Sequence, residues 1–182
     1  MMNKIKLSVY LLLTTLSLLS VESQASSMPE EVTQFIQTNF SDTAQRKFLW
    51  LTGDKKQISS DILSHPYYKI RAPYWQAANA NRSRSAKTLW VLEEIGKEKL
   101  ITIGVVIEQQ KIQSVRILKF RESRGWEVEL PSFTEQFEGS QLNDSQQLTQ
   151  SVDGISGATL SVRAVTNIAR LALYLQTTLP NP

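Results

Sequence analysis

LWVLEEIGKEKLITIGVVIEQQKIQSVRILKFRE, residues Leu89 to Glu122, contains three apolar-rich segments separated by the short polar connections GKEK and QQK. In the second segment, Ile101, Ile103, Val105 and Ile107 occupy every second position, as the buried face of a half-buried β-strand requires. Connections this short join neighbouring antiparallel strands. The stretch therefore predicts a three-stranded antiparallel meander. Because QQK lacks the glycine of a tight hairpin, the register of the last two strands is left open.

Helical patterns precede the meander. The segment Pro29 to Phe40 begins with Pro-Glu-Glu and then spaces its apolar residues like one face of a helix. A second, short helix is predicted to begin at Ser60 or Asp61 and to end at Pro66. Both helices fall in residues 26–87, which we interpret as an N-terminal helical and loop extension.

The C-terminal pattern is that of a longer helix. From Leu160 onward, apolar residues recur at helical spacing with polar residues on the opposite side, until Pro180 ends the pattern. Before it, SFTEQFEG (132–139) is typical of a short helix or turn, and QQLTQSV (146–152) of a further short strand. The sequence therefore predicts an α+β fold with one domain over residues 88–179, in which helices pack on an antiparallel sheet.

The first 25 residues have the pattern of a secretory signal peptide. Two lysines precede an uncharged apolar run from Leu7 to Val21, and Ser23 and Ala25 provide a small-residue cleavage site. Because the run is short for a membrane span, we expect cleavage, with an uncleaved membrane anchor as the alternative. The expected product begins at Ser26 and is periplasmic.

The composition excludes several kinds of chemistry. The 182 residues include no cysteine and one histidine, which excludes disulfides, thiolate metal sites, iron–sulfur clusters and His-rich metal sites. Redox chemistry in this chain would therefore need a bound organic cofactor. The net charge of +3 is mild and carries no indication of nucleic-acid binding. The single histidine, His65, precedes a proline and is expected to end a helix rather than to bind a metal.

DGISGATLS, Asp153 to Ser161, lies directly before the C-terminal helix. The first turn of a helix carries unpaired N–H groups and a partial positive charge, so it can bind a phosphate. Gly157 lets a ligand approach the backbone, Ala158 adds little bulk, and Thr159 presents a hydroxyl. Asp153 is placed to orient the loop or to hold a divalent cation. From the residues alone, a phosphate site and a threonine N-cap after a glycine turn fit equally well.

DGISGAT, residues 153–159, resembles the flavinylation motif of the FMN-binding domain family, which is an Asp, two residues, Ser or Thr, and then Gly-Ala-Thr. That family includes the flavin-bearing subunits of the sodium-pumping NADH:quinone reductase and of the Rnf complex. The resemblance covers roughly Thr88 to Leu175. It implies that FMN is joined through its phosphate to the hydroxyl of Thr159, and that a separate flavin transferase supplies it from FAD with magnesium. The other motif residues implied to bind the cofactor are Asp153, Ser156, Gly157 and Ala158.

RESRG, residues 121–125, occupies the position of the family's loop that faces the flavin ring. The resemblance implies that Glu122 and Ser123 hydrogen-bond ring heteroatoms. It also implies that Arg124 favours an anionic reduced flavin and that Gly125 permits close approach. The alternative is a charged turn after an edge strand, where alternating charges discourage aggregation.

Together these features predict an exported flavoprotein with covalent FMN that transfers electrons between a membrane redox partner, a reductase or cytochrome, and an acceptor. No base lies near Thr159 in the sequence to activate a nucleophile, and we assign no catalytic and no metal-binding residue. An electron-transfer flavoprotein or subunit is therefore favoured over a stand-alone enzyme. The alternatives are a flavin-dependent reductase of a small substrate and a non-redox binding module on the same fold.

Two further segments each have a structural and a functional interpretation. PYYKIRAPYW, residues 66–75, is typical of core and rim packing, with an aromatic docking surface as the alternative. NRSRSAK, residues 81–87, is typical of a solvated loop, with a contact for an acidic partner such as a cytochrome as the alternative.

Overall fold

Five antiparallel strands form a single sheet in the computed structural model, which describes residues 28–40, 43–78 and 85–179. The strands follow one another across the sheet in chain order, so every ladder joins strands that are neighbours in sequence. They are β1 (Ala44–Trp50), β2 (Arg71–Ala77), β3 (Thr88–Ile95), β4 (Leu100–Glu108) and β5 (Lys111–Lys119). The meander predicted from the sequence is confirmed as β3, β4 and β5.

Within the described residues, four α-helices accompany the sheet: α1 (Glu30–Phe40), α2 (Asp54–Leu63), α3 (Pro131–Thr134) and α4 (Thr159–Thr177). Short 3₁₀ turns lie at Trp126–Glu129 and Glu135–Phe137. α1 and α4 confirm the helices predicted near the two ends of the chain, and α3 confirms the short helix predicted in residues 132–139. The result is the expected α+β fold. Of the described helices, none is long and apolar enough to cross a lipid bilayer.

The predicted signal peptide, residues 1–25, lies outside the described residues, so its cleavage stays a prediction. The same holds for most of the basic loop at residues 81–87, where the described part begins at Ser85.

α4 packs its apolar side on one face of the sheet, where the larger of the two hydrophobic cores lies. The residues predicted to form the buried face of β4, Ile101, Ile103, Val105 and Ile107, are fully buried in this core. Such burial contributes about 25 cal/mol per Å² of apolar surface removed from water, which makes this face the main source of the fold's stability.

α1 covers part of the opposite face, so β4 is buried on both faces rather than on one. Gly104 makes the approach possible, because a Cβ atom at this position would overlap the ring of Phe35 on α1. Val106 and Leu118 complete this second, smaller core. The alternation in the sequence indicated only one buried face, since the contact with α1 depends on a glycine that carries no hydrophobic signal.

Two strands lie within residues 26–87, where the sequence pattern predicted only helix and loop. β1 is an edge strand whose sequence, AQRKFLW, is largely exposed, so its apolar alternation is weak. β2 contains Pro73, which removes a backbone donor and argues against a strand. The expected aromatic packing of this segment is present, since the side chains of Tyr67, Tyr74 and Trp75 are buried.

Two boundaries also differ from the prediction. α2 begins at Asp54, well before the expected start at Ser60 or Asp61. Its N-cap is Gly53, which has no side chain to cap the helix, so the usual sequence signal is missing. In the described structure, QQLTQSV (146–152) is not the predicted strand. Its Leu148 forms one isolated β-bridge with Leu142.

His65 follows α2 and holds it to β3 through a partly buried ion pair. Its Nε2 lies 2.8 Å from Oε1 of the buried Glu94, and its Nδ1 lies 3.1 Å from the carbonyl oxygen of Pro66. Both partners are acceptors, so the two nitrogens are satisfied together only when each carries a proton. The hydrogen bond to Glu94 accordingly raises the pKa of His65, against an opposing effect of burial.

We expect the free energy of unfolding to fall as the pH rises through the folded-state pKa of His65. A histidine whose pKa is raised on folding stabilises the fold fully below its unfolded pKa, near 6.5, and that contribution is lost at higher pH. Because the His65 side chain is 42% exposed, the loss should stay under about 1 kcal/mol. Urea unfolding between pH 5.5 and 8.5 measures it, and His65→Gln should flatten the dependence. Identical pH slopes in both proteins would contradict the assignment.

Candidate functional site

A cleft of about 580 Å³ lies at the end of the sheet where β3 turns into β4 and where β5 ends. Its walls are the β3–β4 turn, the loop after β5, and the first turn of α4. The volume lies within the range of roughly 300–1,000 Å³ that is typical of small-molecule sites. The lining residues are Lys97, Glu98, Glu122, Ser123, Arg124, Gly157, Ala158, Thr159, Leu160 and Ser161.

Thr159 is the first residue of α4, and its side chain is exposed at the mouth of the cleft. Ala158 occupies the N-cap position and no side chain caps the helix, so the structure differs from the alternative in which Thr159 is the N-cap. The first intrahelical bond runs from the Val162 N–H to the Ala158 carbonyl oxygen at 2.9 Å. The N–H groups before Val162 give this helix end its partial positive charge beside the Thr159 hydroxyl.

Gly125 brings the loop after β5 into direct contact with the start of α4. A Cβ atom on this residue would lie 2.8 Å from Ser161 Oγ and 3.3 Å from Ala158 Cβ. Its φ of +86° also belongs to the left-handed region that side chains disfavour. Both the space and the backbone conformation therefore require glycine, and Glu122, Ser123 and Arg124 of this loop line the same cleft as Thr159.

Glu122 is bound to the β3–β4 turn rather than left free in the cleft. Its Oε1 accepts hydrogen bonds from the N–H groups of Lys97, Glu98 and Lys99, at 2.5, 2.7 and 2.8 Å. Successive N–H groups of this kind form an anion-binding concavity, here filled by the chain's own carboxylate. Gly96 leaves room for it, since a Cβ atom there would lie 2.7 Å from the same oxygen.

These contacts also set the ionisation of Glu122. Burial disfavours the charged carboxylate, but the hydrogen bonds from Lys99, Glu98 and Lys97 outweigh it, and the pKa of Glu122 lies below its usual range. The carboxylate is therefore ionised at neutral pH. Its role in holding the turn was not evident from the sequence, because it joins residues more than 20 positions apart.

Of the predicted motif residues, Asp153 and Ser156 are not among the residues that line the cleft, whereas Gly157 is. Asp153 and Ser156 are both exposed, and the backbone N–H of Asp153 donates to Gln136 Oε1 at 2.7 Å. Gly157 has a φ of +82° and nothing near its Cβ position, so it forms the open turn before α4. The structure thus brings together the two stretches that the sequence singled out, while Asp153 and Ser156 stay at its margin.

Four lining residues were not predicted: Lys97, Glu98, Leu160 and Ser161. The first two belong to GKEK, which the sequence indicated only as a connection between strands. Its signal was the glycine followed by polar residues, a pattern common to most turns. The other two directly follow the motif and line the cleft as part of the first turn of α4.

Glu122→Gln is expected to loosen the β3–β4 turn. A neutral amide oxygen accepts weaker hydrogen bonds than a carboxylate, so hydrogen exchange of the Lys97, Glu98 and Lys99 amides should rise roughly tenfold at neutral pH. The difference from wild type should vanish as the pH falls through the folded-state pKa of Glu122, because a lowered carboxyl pKa stabilises only above that value. Exchange measured by NMR checks both expectations.

Glu129→Gln is the matched control, because it makes the same substitution and the same change of net charge at an exposed glutamate. It should leave the exchange of the three turn amides unchanged. If both variants behave alike, the contact between Glu122 and the turn has no specific effect.

Comparison with known proteins agrees with the position of this cleft. Residues 96–174 match the model of the FMN-binding domain family, and all residues that line the cleft fall within this segment. The fold is similar to that in the crystal structure of Shewanella oneidensis NqrC, with a TM-score of 0.54 and 14% sequence identity, over 77% of this chain and 82% of that chain. At this identity the likeness concerns the fold alone. No curated protein sequence matches the chain.

Proposed function

We propose, from the premise that residues 96–174 belong to the FMN-binding domain family, that this chain is an exported flavoprotein carrying FMN covalently on Thr159. In this role it passes electrons between a membrane redox partner and an acceptor. The observation that carries the proposal is the exposed Thr159 hydroxyl at the uncapped start of α4, in a cleft within the matched segment. Export is proposed from the signal pattern of residues 1–25.

The residues of the cleft fit a flavin phosphate in three respects. The start of α4 offers N–H groups and a partial positive charge, which favour a phosphate ester at Thr159. The turn at Gly157 has no side chain to obstruct it. Arg124 adds positive charge to the lining, Lys97 forms an ion pair with Glu98, and the charge of the Glu122 carboxylate is stabilised by the N–H groups of the β3–β4 turn.

When bound, FMN supplies reversible electron transfer, and the chain's residues position it and shield it from water. Arg124, an exposed lining residue on the loop after β5, would add positive charge near the cofactor and stabilise its reduced form. Gly125 keeps that wall close to α4. A covalent bond suits a protein outside the cytoplasm, where a dissociated cofactor would be lost.

Thr159 is a passive acceptor in this proposal. The described lining residues include no histidine, and their two carboxylates are engaged elsewhere, Glu122 by the β3–β4 turn and Glu98 by Lys97. Attachment is therefore assigned to a separate flavin transferase. In that reaction the pyrophosphate bond of FAD breaks, Thr159 Oγ1 bonds to the flavin phosphorus, and AMP leaves. The hydroxyl proton passes to the transferase or to solvent, and magnesium on the transferase neutralises the phosphates.

The proposal is tested by co-expressing the full chain with a flavin transferase and separating the product on a denaturing gel. A covalent flavin survives denaturation, so the band should fluoresce under blue light. The same chain expressed without a transferase should give a dark band. A dark band in both cases would refute the covalent attachment.

A further inference from the structure

The face of the sheet that α1 partly covers is open at the end nearest the cleft. Residues opposite each other in an antiparallel pair have their side chains on the same face of the sheet. Trp75, which packs against α1, is opposite Arg46. Every second residue along the two strands lies on that same face, namely Phe48 opposite Pro73 and Trp50 opposite Arg71. α1 packs over Trp75 but not over the rest. Phe48 is 38% exposed and Trp50 is 56% exposed. We call this region, residues 46–50 with 71–73 and the adjoining ends of β3 to β5, the open sheet face.

Arginine and aromatic side chains are stacked on this face. The guanidinium of Arg46 lies 5.0 Å from the centre of the Phe48 ring and 5.3 Å from that of Trp75, and the guanidinium of Arg71 lies 4.2 Å from the Phe48 ring. Among the described residues, neither arginine has a carboxylate oxygen within 4.0 Å. Stacking fixes each guanidinium and leaves its edge free to bind carboxylates in pairs of hydrogen bonds.

A groove of about 250 Å³ continues the face toward β5, and cations outnumber carboxylates among its charged lining residues. Arg46, Lys69, Lys119 and Arg121 line it, with Glu93 as the one carboxylate. Glu93 is already neutralised, since Lys69 Nζ lies 3.1 Å and an Arg121 nitrogen 3.8 Å from its oxygens. These ion pairs lower the pKa of Glu93 in spite of its burial. Pro29 and Val32 at the start of α1 also line the groove, whereas Glu30 and Glu31 between them are not among its lining residues.

The open sheet face reaches the wall of the cleft. β1, β3 and β5 end, and β2 and β4 begin, at the same end of the sheet. Ile95 and Leu100, each 46% exposed, flank the turn whose Lys97 and Glu98 line the cleft. A molecule bound on this face would therefore lie against the turn that forms one wall of the cleft.

We propose that the open sheet face docks a protein partner through a carboxylate-rich surface beside the cleft. The centres of protein–protein interfaces are enriched in aromatic side chains and arginine, and this face exposes Trp50 and Phe48 beside two stacked arginines. Because these arginines have no carboxylate partner within the described part of the chain, they favour a protein partner with an acidic surface. A lipid surface fits less well, because the ion-paired Glu93 in the middle of the face would lose its water without a protein group to replace it. The partner's role as electron donor or acceptor rests on the proposed function; the docking itself does not.

NMR titration of the ¹⁵N-labelled chain with an acidic probe protein, the haem domain of cytochrome b5, tests the proposal. We expect shift changes confined to residues 46–50, 71–73 and the 95–100 turn, and weaker binding at higher salt. The double variant Arg46→Gln, Arg71→Gln should raise the Kd about tenfold. The control variant Lys56→Gln, Lys111→Gln makes the same change of charge at exposed positions elsewhere and should alter the Kd less than twofold.

Each other outcome overturns the docking proposal. Shift changes elsewhere, or equal effects of the two double variants, would indicate general charge attraction. Binding to vesicles of equal parts phosphatidylcholine and phosphatidylglycerol through the same residues, without binding of cytochrome b5, would make the face a membrane contact. The titration follows backbone amides and needs no flavin. A chain that stays without flavin after co-expression with a transferase, yet shows the expected shifts, would therefore refute the proposed function and support the docking.

Discussion

Thr159→Val should abolish covalent FMN on this chain, whereas Thr159→Ser should retain part of it. Valine keeps the size and β-branching of threonine but has no oxygen to carry a phosphate. Because Thr159 is exposed and caps nothing, the substitution should change the free energy of unfolding by less than about 0.5 kcal/mol. Loss of the cofactor would then reflect the missing hydroxyl and not a damaged helix.

Intact-protein mass spectrometry after co-expression with a flavin transferase measures this directly. The wild-type chain should carry an adduct of roughly 440 Da, the mass of a flavin phosphate attached with loss of water. Ser156→Ala and Ser161→Ala are the controls and should keep the adduct. If the mass survives Thr159→Val, the attachment belongs to one of these serines. If wild type shows no adduct, the covalent model itself is refuted.

Gly125→Ala should destabilise the fold by about 2–4 kcal/mol. Part of this is the cost of a side chain at positive φ, about 1 kcal/mol, and the rest is overpacking against Ser161 and Ala158, about 1–3 kcal/mol. We also expect less flavin on the variant, because the loop after β5 must move away from α4. Urea unfolding and the adduct yield measure the two effects.

Gly157→Ala is a matched control for the second prediction. Gly157 has nearly the same φ, +82° against +86°, but no atom lies within 4 Å of its Cβ position. It should therefore show the backbone cost alone, about 1 kcal/mol. Gly125→Ala combined with Ser161→Ala should recover part of the loss, since the closest contact is with Ser161 Oγ. Equal losses in the two glycine variants would mean that the loop does not pack tightly on α4.

The strands that the sequence predicts are those whose burial is visible in their own residues. β4 shows its inward face because four branched apolar residues alternate along it. β1 does not, because Arg46 and Lys47 lie in its centre and its pairing is decided by β2, more than 20 residues later. α2 likewise begins directly after Gly53, an N-cap residue without a side chain to provide a capping signal. Local patterns suffice where an element is stabilised locally, and they fail where the partner is distant.

The same distinction applies to the candidate site. The motif before α4 is contiguous, so the sequence could locate Thr159 and its neighbours. That Glu122 would be bound by the β3–β4 turn could not be predicted, since it requires the turn and the loop after β5 to meet in the folded chain. Asp153 and Ser156 show the converse: adjacency in the motif does not place their side chains in the lining of the cleft.

The position of α4 after all five strands has a consequence for the order of events during biogenesis. Each strand can pair with its predecessor as the polypeptide emerges, but the face of the sheet that α4 covers stays bare until that helix has been delivered. Thr159, the proposed acceptor, belongs to the same helix and acquires its setting only when the helix docks. Under the proposed attachment, a chain truncated before α4 would lack both a closed core and the acceptor hydroxyl, so incomplete products would not be loaded with cofactor.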